Sequence, residues 1–460
     1  MRKIAYITVM FCISCSVGED YVAQKSYSDA TLAQTLNISA EKPLPQKWYA
    51  DFADPTLTTL VEQGLKNNTN IKTAALRIKQ ARAQLQITKV AALPQINAQS
   101  EYNYEKQSRN IGPAALNSHH YSAGFDASWE LDLWGKNRRQ IEAGKASLNA
   151  AKYTLENVKI VVAAEIIANY INLRQNAENL RLAEKNARLQ QEILTTVKAK
   201  YDNGLADETA YNEAQYLLEN TRAQIPQYRA AIEQYRNALA TLLGILPAEL
   251  PLKDNKFTPL STARTAHLNL REFPASVVRM RPDVAAAEQN LIAKNALVSA
   301  AVAELYPNIS LSGLWGYASQ GGSHLFNSSS QTYNYAPLLS LPLLDWNRLQ
   351  NNVQLQKYIE AEALASYKQT VLDAVTEIKN AQTAYAENRS AAKNKARALQ
   401  NMRKTAQLTQ KKYENGLIEF SEVVRTQQNL ISAEQDYVAI NALILRNIIA
   451  FYKAVAAPID

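Results

Sequence analysis

The chain has 460 residues, 47% of them hydrophobic, yet its mean hydropathy is only -0.30. No uninterrupted apolar run reaches the roughly 20 residues a spanning helix needs, so a membrane could be crossed only by strands. The net charge of +8 comes from 50 basic and 42 acidic residues mixed along the chain. No basic stripe suits nucleic acid, which is excluded as a partner.

Residues 1–14 read as a signal peptide, with Arg2 and Lys3 ahead of a short apolar run from Ile4 to Ile13. Cys15 sits between Ser14 and Ser16 as in a bacterial lipobox, and is expected to be the acylated first residue of the mature chain. Cys12, three positions upstream, departs from that pattern, and an ordinary leader with incidental cysteines is the alternative. Both cysteines lie in the first 15 positions, so no later thiol is available for a disulfide, a metal or a nucleophile. Residues 15–54 are then a lipidated N-terminal extension.

From about Pro55 to Ala92 a periodic apolar pattern predicts helix. After Pro94, Ile96, Ala98, Ser100, Tyr102 and Tyr104 alternate with Asn97, Gln99, Glu101 and Asn103. Beyond a polar loop, Tyr121, Phe125, Trp129, Leu131 and Leu133 alternate with Ser122, Asp126, Ser128, Glu130 and Asp132. A period of two with one apolar face is a strand pattern. A helix from about Arg139 to Lys200 follows, roughly 90 Å long at 1.5 Å per residue. Its heptad seam is Leu173, Ala177, Leu180, Ala187, Leu194, Val197 and Tyr201. Pro226 alone is expected to interrupt the middle of the chain, within a shorter partner helix from Glu208 to Leu243.

The second half repeats the first. LPQI at 93–96 returns as YPNI at 306–309, LDLWGKNRRQ at 131–140 as LPLLDWNRLQ at 341–350, and KYDNGL at 200–205 as KYENGL at 412–417. Near-constant spacing of such matches marks a tandem duplication. The first repeat is 55–245 and the second is 273–457. Between them 246–272, with Pro247, Pro251 and Pro259, is an irregular insert, and 458–460 is a tail. The second copy is expected to carry helices near Pro282 to Leu305, Asn347 to Lys412 and Ser421 to Val455. Its strands are marked by Ile309, Leu311, Trp315 and Tyr317, then by Tyr335, Leu339, Leu341 and Leu343.

Four strands of about ten residues can cross a bilayer at a tilt, with aromatic residues near their ends as girdles. The strand pattern alone fits a soluble sandwich on a coiled coil equally well. In lipid, however, open edges would leave unpaired backbone groups, so the sheet would have to close with other copies. Two, three or four copies would give 8, 12 or 16 strands.

Five segments resemble one family in order and spacing: WYADFADPTLTTLVEQGLKNNTNI at 48–71, WELDLWGKNRR at 129–139, NALATLLG at 237–244, RPDVAAAEQNL at 281–291 and PLLDWNR at 342–348. The chain resembles the TolC-type outer membrane factors, most closely the NodT and OprM-like lipoprotein branch, over almost its whole length. The resemblance implies an α+β membrane protein, internally duplicated, in which long coiled-coil helices form a periplasmic α-barrel. It also implies a homotrimer whose four strands per protomer make a 12-stranded outer-membrane β-barrel. A periplasmic adaptor and an inner-membrane pump, commonly of the resistance-nodulation-division class, would be partners.

Gly204 and Gly416 follow the long helices where the chain must reverse, and glycine suits the positive φ of such turns. The resemblance makes these turns adaptor contacts, with Leu205 and Leu417 as their exposed apolar residues. It also implies a periplasmic gate. Glu419, Glu422 and Arg425 are expected on one helical face. Glu422 matches an acid of the family's narrow end, whereas Arg425 stands where a second acid is common. Tyr413 matches an aromatic that tethers the closed state, through its ring and hydroxyl, but Ala210 replaces that tether's acidic partner. His119, His120, His267 and His324 read as surface residues, with no ligand spacing for a metal. No grouping of nucleophile, base and orienter is visible, and no cofactor is expected. The function implied is a passive outer-membrane exit duct of a tripartite efflux pump. Alternatives are the outlet of a peptide or protein secretion system with the same fold, or a structural coiled-coil surface protein.

Overall fold

The computed structural model describes residues 17–23, 28–106, 108, 117–252, 257, 259–260, 270–457 and 459. The signal peptide, Cys15, His267 and much of the insert lie outside the described residues. The described residues form two compact units, one drawn from 1–24, 76–152 and 285–369, the other from 25–75, 153–284 and 370–460.

The first unit holds a single antiparallel sheet of β1 (Gln95–Lys106), β2 (Asn117–Leu131), β3 (Asn308–Ser319) and β4 (Gln331–Ser340), in that order. The β2 to β3 pairing joins the two halves of the duplication. Register decides which side chains share a face. Ala98 lies opposite Phe125, Phe125 opposite Trp315 and Trp315 opposite Tyr333. Ile96, Tyr102, Trp129, Leu311 and Leu339 fall on this same apolar face. Glu101, Asp126, Glu130, Ser310 and Asn334 fall on the other. Gly124 faces Gly316 across the ladder, where a Cβ on Gly124 would lie 2.6 Å from the Trp315 carbonyl oxygen. Only glycine lets the two backbones approach so closely.

Two strands stop earlier than their alternation suggests. β2 ends at Leu131 because Asp132 turns away to accept from the Asn137 and Arg138 amides, both at 3.0 Å. That opens α4 (Lys136–Asp202). β4 ends at Ser340, two residues before Pro342, which has no amide to give a ladder.

α4 and α8 (Trp346–Glu414) each supply residues to both units, as do α3 (Thr69–Ala91) and α7 (Pro282–Ala303). In the second unit α1 (Asp29–Leu36), α2 (Pro55–Asn67), α5 (Glu208–Leu243), α6 (Val277–Met280) and α9 (Phe420–Ala454) complete the helical framework. The heptad seam buries Leu173, Ala177, Leu180, Ala187 and Val197, and leaves Tyr201 exposed.

The single periodic segment expected from Pro55 to Ala92 is two helices. Asn68 separates them: its Oδ1 accepts from the Asn70 and Ile71 amides, and its Nδ2 donates 2.7 Å to the Leu242 carbonyl. A side chain that caps α3 while its amide is tied to the end of α5 holds Asn68 at a non-helical ψ of 133°, so α2 stops there. Pro226, by contrast, does not interrupt α5. Pro226 and Arg222 are both exposed, so water can satisfy the Arg222 carbonyl that proline leaves without its helical donor.

Asp54 caps α2 through the Thr56 and Leu57 amides and also accepts from Tyr170 Oη and Arg174 Nη1, each at 2.9 Å. Burial first, and then the Asp54 carboxylate, push the Tyr170 hydroxyl well above its ordinary value. Trp48 stacks on Tyr452 with ring centroids 4.7 Å apart.

Candidate functional site

The two turns that follow the long helices have the same construction. Gly204 has φ +69° and Gly416 has φ +72°. The Gly204 amide donates to the Tyr201 carbonyl and the Leu205 amide to the Lys200 carbonyl, at 2.9 and 2.8 Å. Gly416 to Tyr413 and Leu417 to Lys412 repeat the pattern at 3.0 and 2.9 Å. These are Schellman closures, which satisfy the last helix carbonyls and need a left-handed residue. Both glycines have open space where a Cβ would stand, so the positive φ alone demands them. Leu205 and Leu417 are 78% and 71% exposed.

The next helices begin differently. Asp207 caps α5 by accepting from the Ala210 amide at 2.8 Å, whereas Glu419 caps α9 with no side-chain bond. Glu419 therefore lies outside the helix, and only Glu422 and Arg425 share the helical spacing expected of all three. These two pair at 2.6 Å while both remain exposed.

Tyr413 does not join that pair. It is 9% exposed and belongs to an apolar cluster with Val197, Leu217, Phe420 and Val423. Its ring lies 5.2 Å from that of Phe420, and the Lys200 ammonium lies over the Tyr413 ring, 4.3 Å from the centroid. Burial first, with the Asp207 carboxylate second, raises its hydroxyl above the ordinary value. Ala210 packs against the same cluster. Lys200 is not legible in the sequence, although the doubled KY before each turn is. Its use depends on which helix faces which, and a linear pattern does not carry that.

Residues just beyond Cys15 are fastened to the first unit. The Val17 amide donates 3.1 Å to the Trp134 carbonyl, Gly18 packs on Ser299 at φ +99°, and Arg139 pairs with Asp20. The Trp134 indole donates 2.7 Å to the Pro307 carbonyl and stacks on Tyr306. The attachment thus lies at the junction where β2 gives way to α4.

His119 meets Tyr102 Oη at 3.0 Å, and His324 meets Asn327 at 3.3 Å. Among the described residues no group of three or more His, Cys, Asp or Glu could hold a metal ion.

A family model described as outer membrane efflux protein matches residues 60–245 and 275–457. The cation efflux system protein CusC of Escherichia coli is 26% identical over 456 residues, covering 96% of this chain and 97% of that protein. The toluene efflux pump outer membrane protein TtgF of Pseudomonas putida is 27% identical over 450 residues, covering 96% and 90%. Among solved structures, the outer-membrane channel OprN superposes with a TM-score of 0.89 at 30% identity, covering 96% of this chain and 99% of that one.

Proposed function

The chain belongs to the outer membrane efflux protein family, and we propose that three copies close their sheets into one 12-stranded barrel that serves as the passive exit duct of a tripartite pump. The observation that carries this reading is the two-faced sheet. One face is apolar and exposed, the other polar, and β1 and β4 are left as open edges among the described residues. An apolar face suits lipid, a polar face suits a water-filled bore, and edges cannot remain open in hydrocarbon. The long helices continue the bore through the periplasm. A periplasmic adaptor meets the turns at Gly204, Leu205, Gly416 and Leu417, and an inner-membrane pump of the resistance-nodulation-division class supplies the energy.

Relatives of near-equal similarity bear names as unlike as cation efflux and toluene efflux. That supports a duct that filters weakly and carries drugs or other toxic solutes chosen by its pump. The closed end is narrowed by the turn bearing Tyr413, Glu422 and Arg425. An exposed Glu422 to Arg425 pair contributes only about 0 to 1 kcal/mol, so packing around Tyr413 must carry most of the closure.

Cys15 is acylated, and its lipid adds to the affinity of an already inserted barrel. Mass analysis of the detergent-extracted complex tests both points: a trimer of acylated chains is expected. A stable monomer would defeat the shared barrel, and a mature N-terminus without lipid would defeat the anchor.

A further inference from the structure

Lys200 and Tyr413 come from different halves of the duplication, yet they meet through an ammonium 4.3 Å from a ring centroid. Among the described residues Lys200 has no carboxylate partner, and the Tyr413 hydroxyl takes part in no hydrogen bond. Phe420 and the apolar cluster hold the ring in place, so Lys200 contributes charge against a fixed aromatic face. The same dipeptide stands before both turns, as Lys200-Tyr201 and Lys412-Tyr413. Within one chain only one of the two crossed pairings forms. Lys412 is exposed, and Tyr201, 39% exposed, stacks on Tyr211 with centroids 5.7 Å apart.

We propose that the closed end is latched by cation–π pairs: Lys200 on Tyr413 inside each copy, and Lys412 on the partner subunit's Tyr201 between copies. This rests on the trimeric duct. In a threefold ring built from two like hairpins per chain, first and second hairpins alternate. The junction from a second hairpin to the next copy's first hairpin then repeats the junction inside one chain. Lys412 and Tyr201 are the residues that repetition brings together, and they are the pair the single chain leaves without each other. Such a latch uses the ring and not the hydroxyl.

Single-channel recording of the purified full-length protein in planar bilayers tests it. Each pair shifts the open-to-closed ratio about 2- to 5-fold, and one substitution removes three by symmetry, so Lys200→Met should raise the open fraction about tenfold or more. Lys412→Met should do the same, because it removes the three pairs between copies. Lys200→Arg and Tyr413→Phe should stay near wild type, because both keep a cation over a ring, whereas Tyr413→Leu should open the channel. The complex mass of each variant confirms that assembly is intact. The latch is overturned if Lys200→Met matches wild type, or if Tyr413→Phe leaks as much as Tyr413→Leu. Its inter-copy half is overturned if Lys412→Met alone is silent. A wild-type protein that assembles but forms no channel would instead overturn the duct itself.

Discussion

Arg281 ties three elements together. It is buried, and its guanidinium bonds Asp283 at the start of α7 at 2.6 Å, Glu377 on α8 at 2.9 Å, and the Ala454 carbonyl that ends α9 at 2.6 Å. One side chain thus satisfies an orphan helix carbonyl and two carboxylates, which is the arrangement that makes a buried cation tolerable. Burial alone would raise the Asp283 carboxyl, but the Arg281 guanidinium outweighs it and holds the group below its ordinary value. A depressed carboxyl contributes stability that is full above about pH 4 and is lost as pH falls through the lowered value. Arg281→Ala should therefore cost about 3 kcal/mol at neutral pH, in the range for breaking a buried pair, and clearly less near pH 3. Thermal unfolding of the detergent-solubilised protein at both pH values measures it; an equal loss at both would remove the Asp283 pairing from the account.

The turns show how an element can be legible while its contacts are not. Gly204 and Gly416 could be placed as reversals from sequence because a long heptad helix must end and glycine suits the left-handed closure, and φ values of +69° and +72° agree. The helix ends could be read to within a few residues, since period and proline are local signals. Asn68 is only half legible: its capping of the Asn70 and Ile71 amides is local, but the tie of its amide to the Leu242 carbonyl reaches 174 residues away. Lys200 is hidden for the latter reason, its ring partner lying on another helix. Proline holds φ near -65°, so Gly204→Pro or Gly416→Pro must break a Schellman closure without touching the sheet. Each variant should leave the complex assembled and heat-resistant while abolishing export in cells. Site-specific crosslinks from Leu205 and Leu417 to an adaptor should form in the parent and disappear with it. Normal export from either proline variant would remove the turns from the docking surface.

At the scale of the whole molecule the sheet faces decide what the protein can be, because alternation assigns neighbouring residues to opposite solvents. Phe125 belongs to the apolar face opposite Trp315, and Asp126 belongs to the polar face, where Asn97 donates to it at 3.1 Å. If lipid lies outside and water inside, the two positions must respond oppositely to the same substitution. Phe125→Arg puts a cation into hydrocarbon at about 2–4 kcal/mol per chain near the midplane, and a closed trimer would meet that cost three times. Asp126→Arg exchanges one hydrated charge for another and forfeits only an exposed hydrogen bond. The expected result is loss of the assembled complex from the outer membrane for Phe125→Arg, and near-normal assembly with altered ion preference for Asp126→Arg. The readouts are the amount of detergent-extracted complex in the outer-membrane fraction and the reversal potential in planar bilayers. Equal tolerance of both arginines would mean that the apolar face does not meet lipid, and a barrel closed in the membrane could not be built from this sheet.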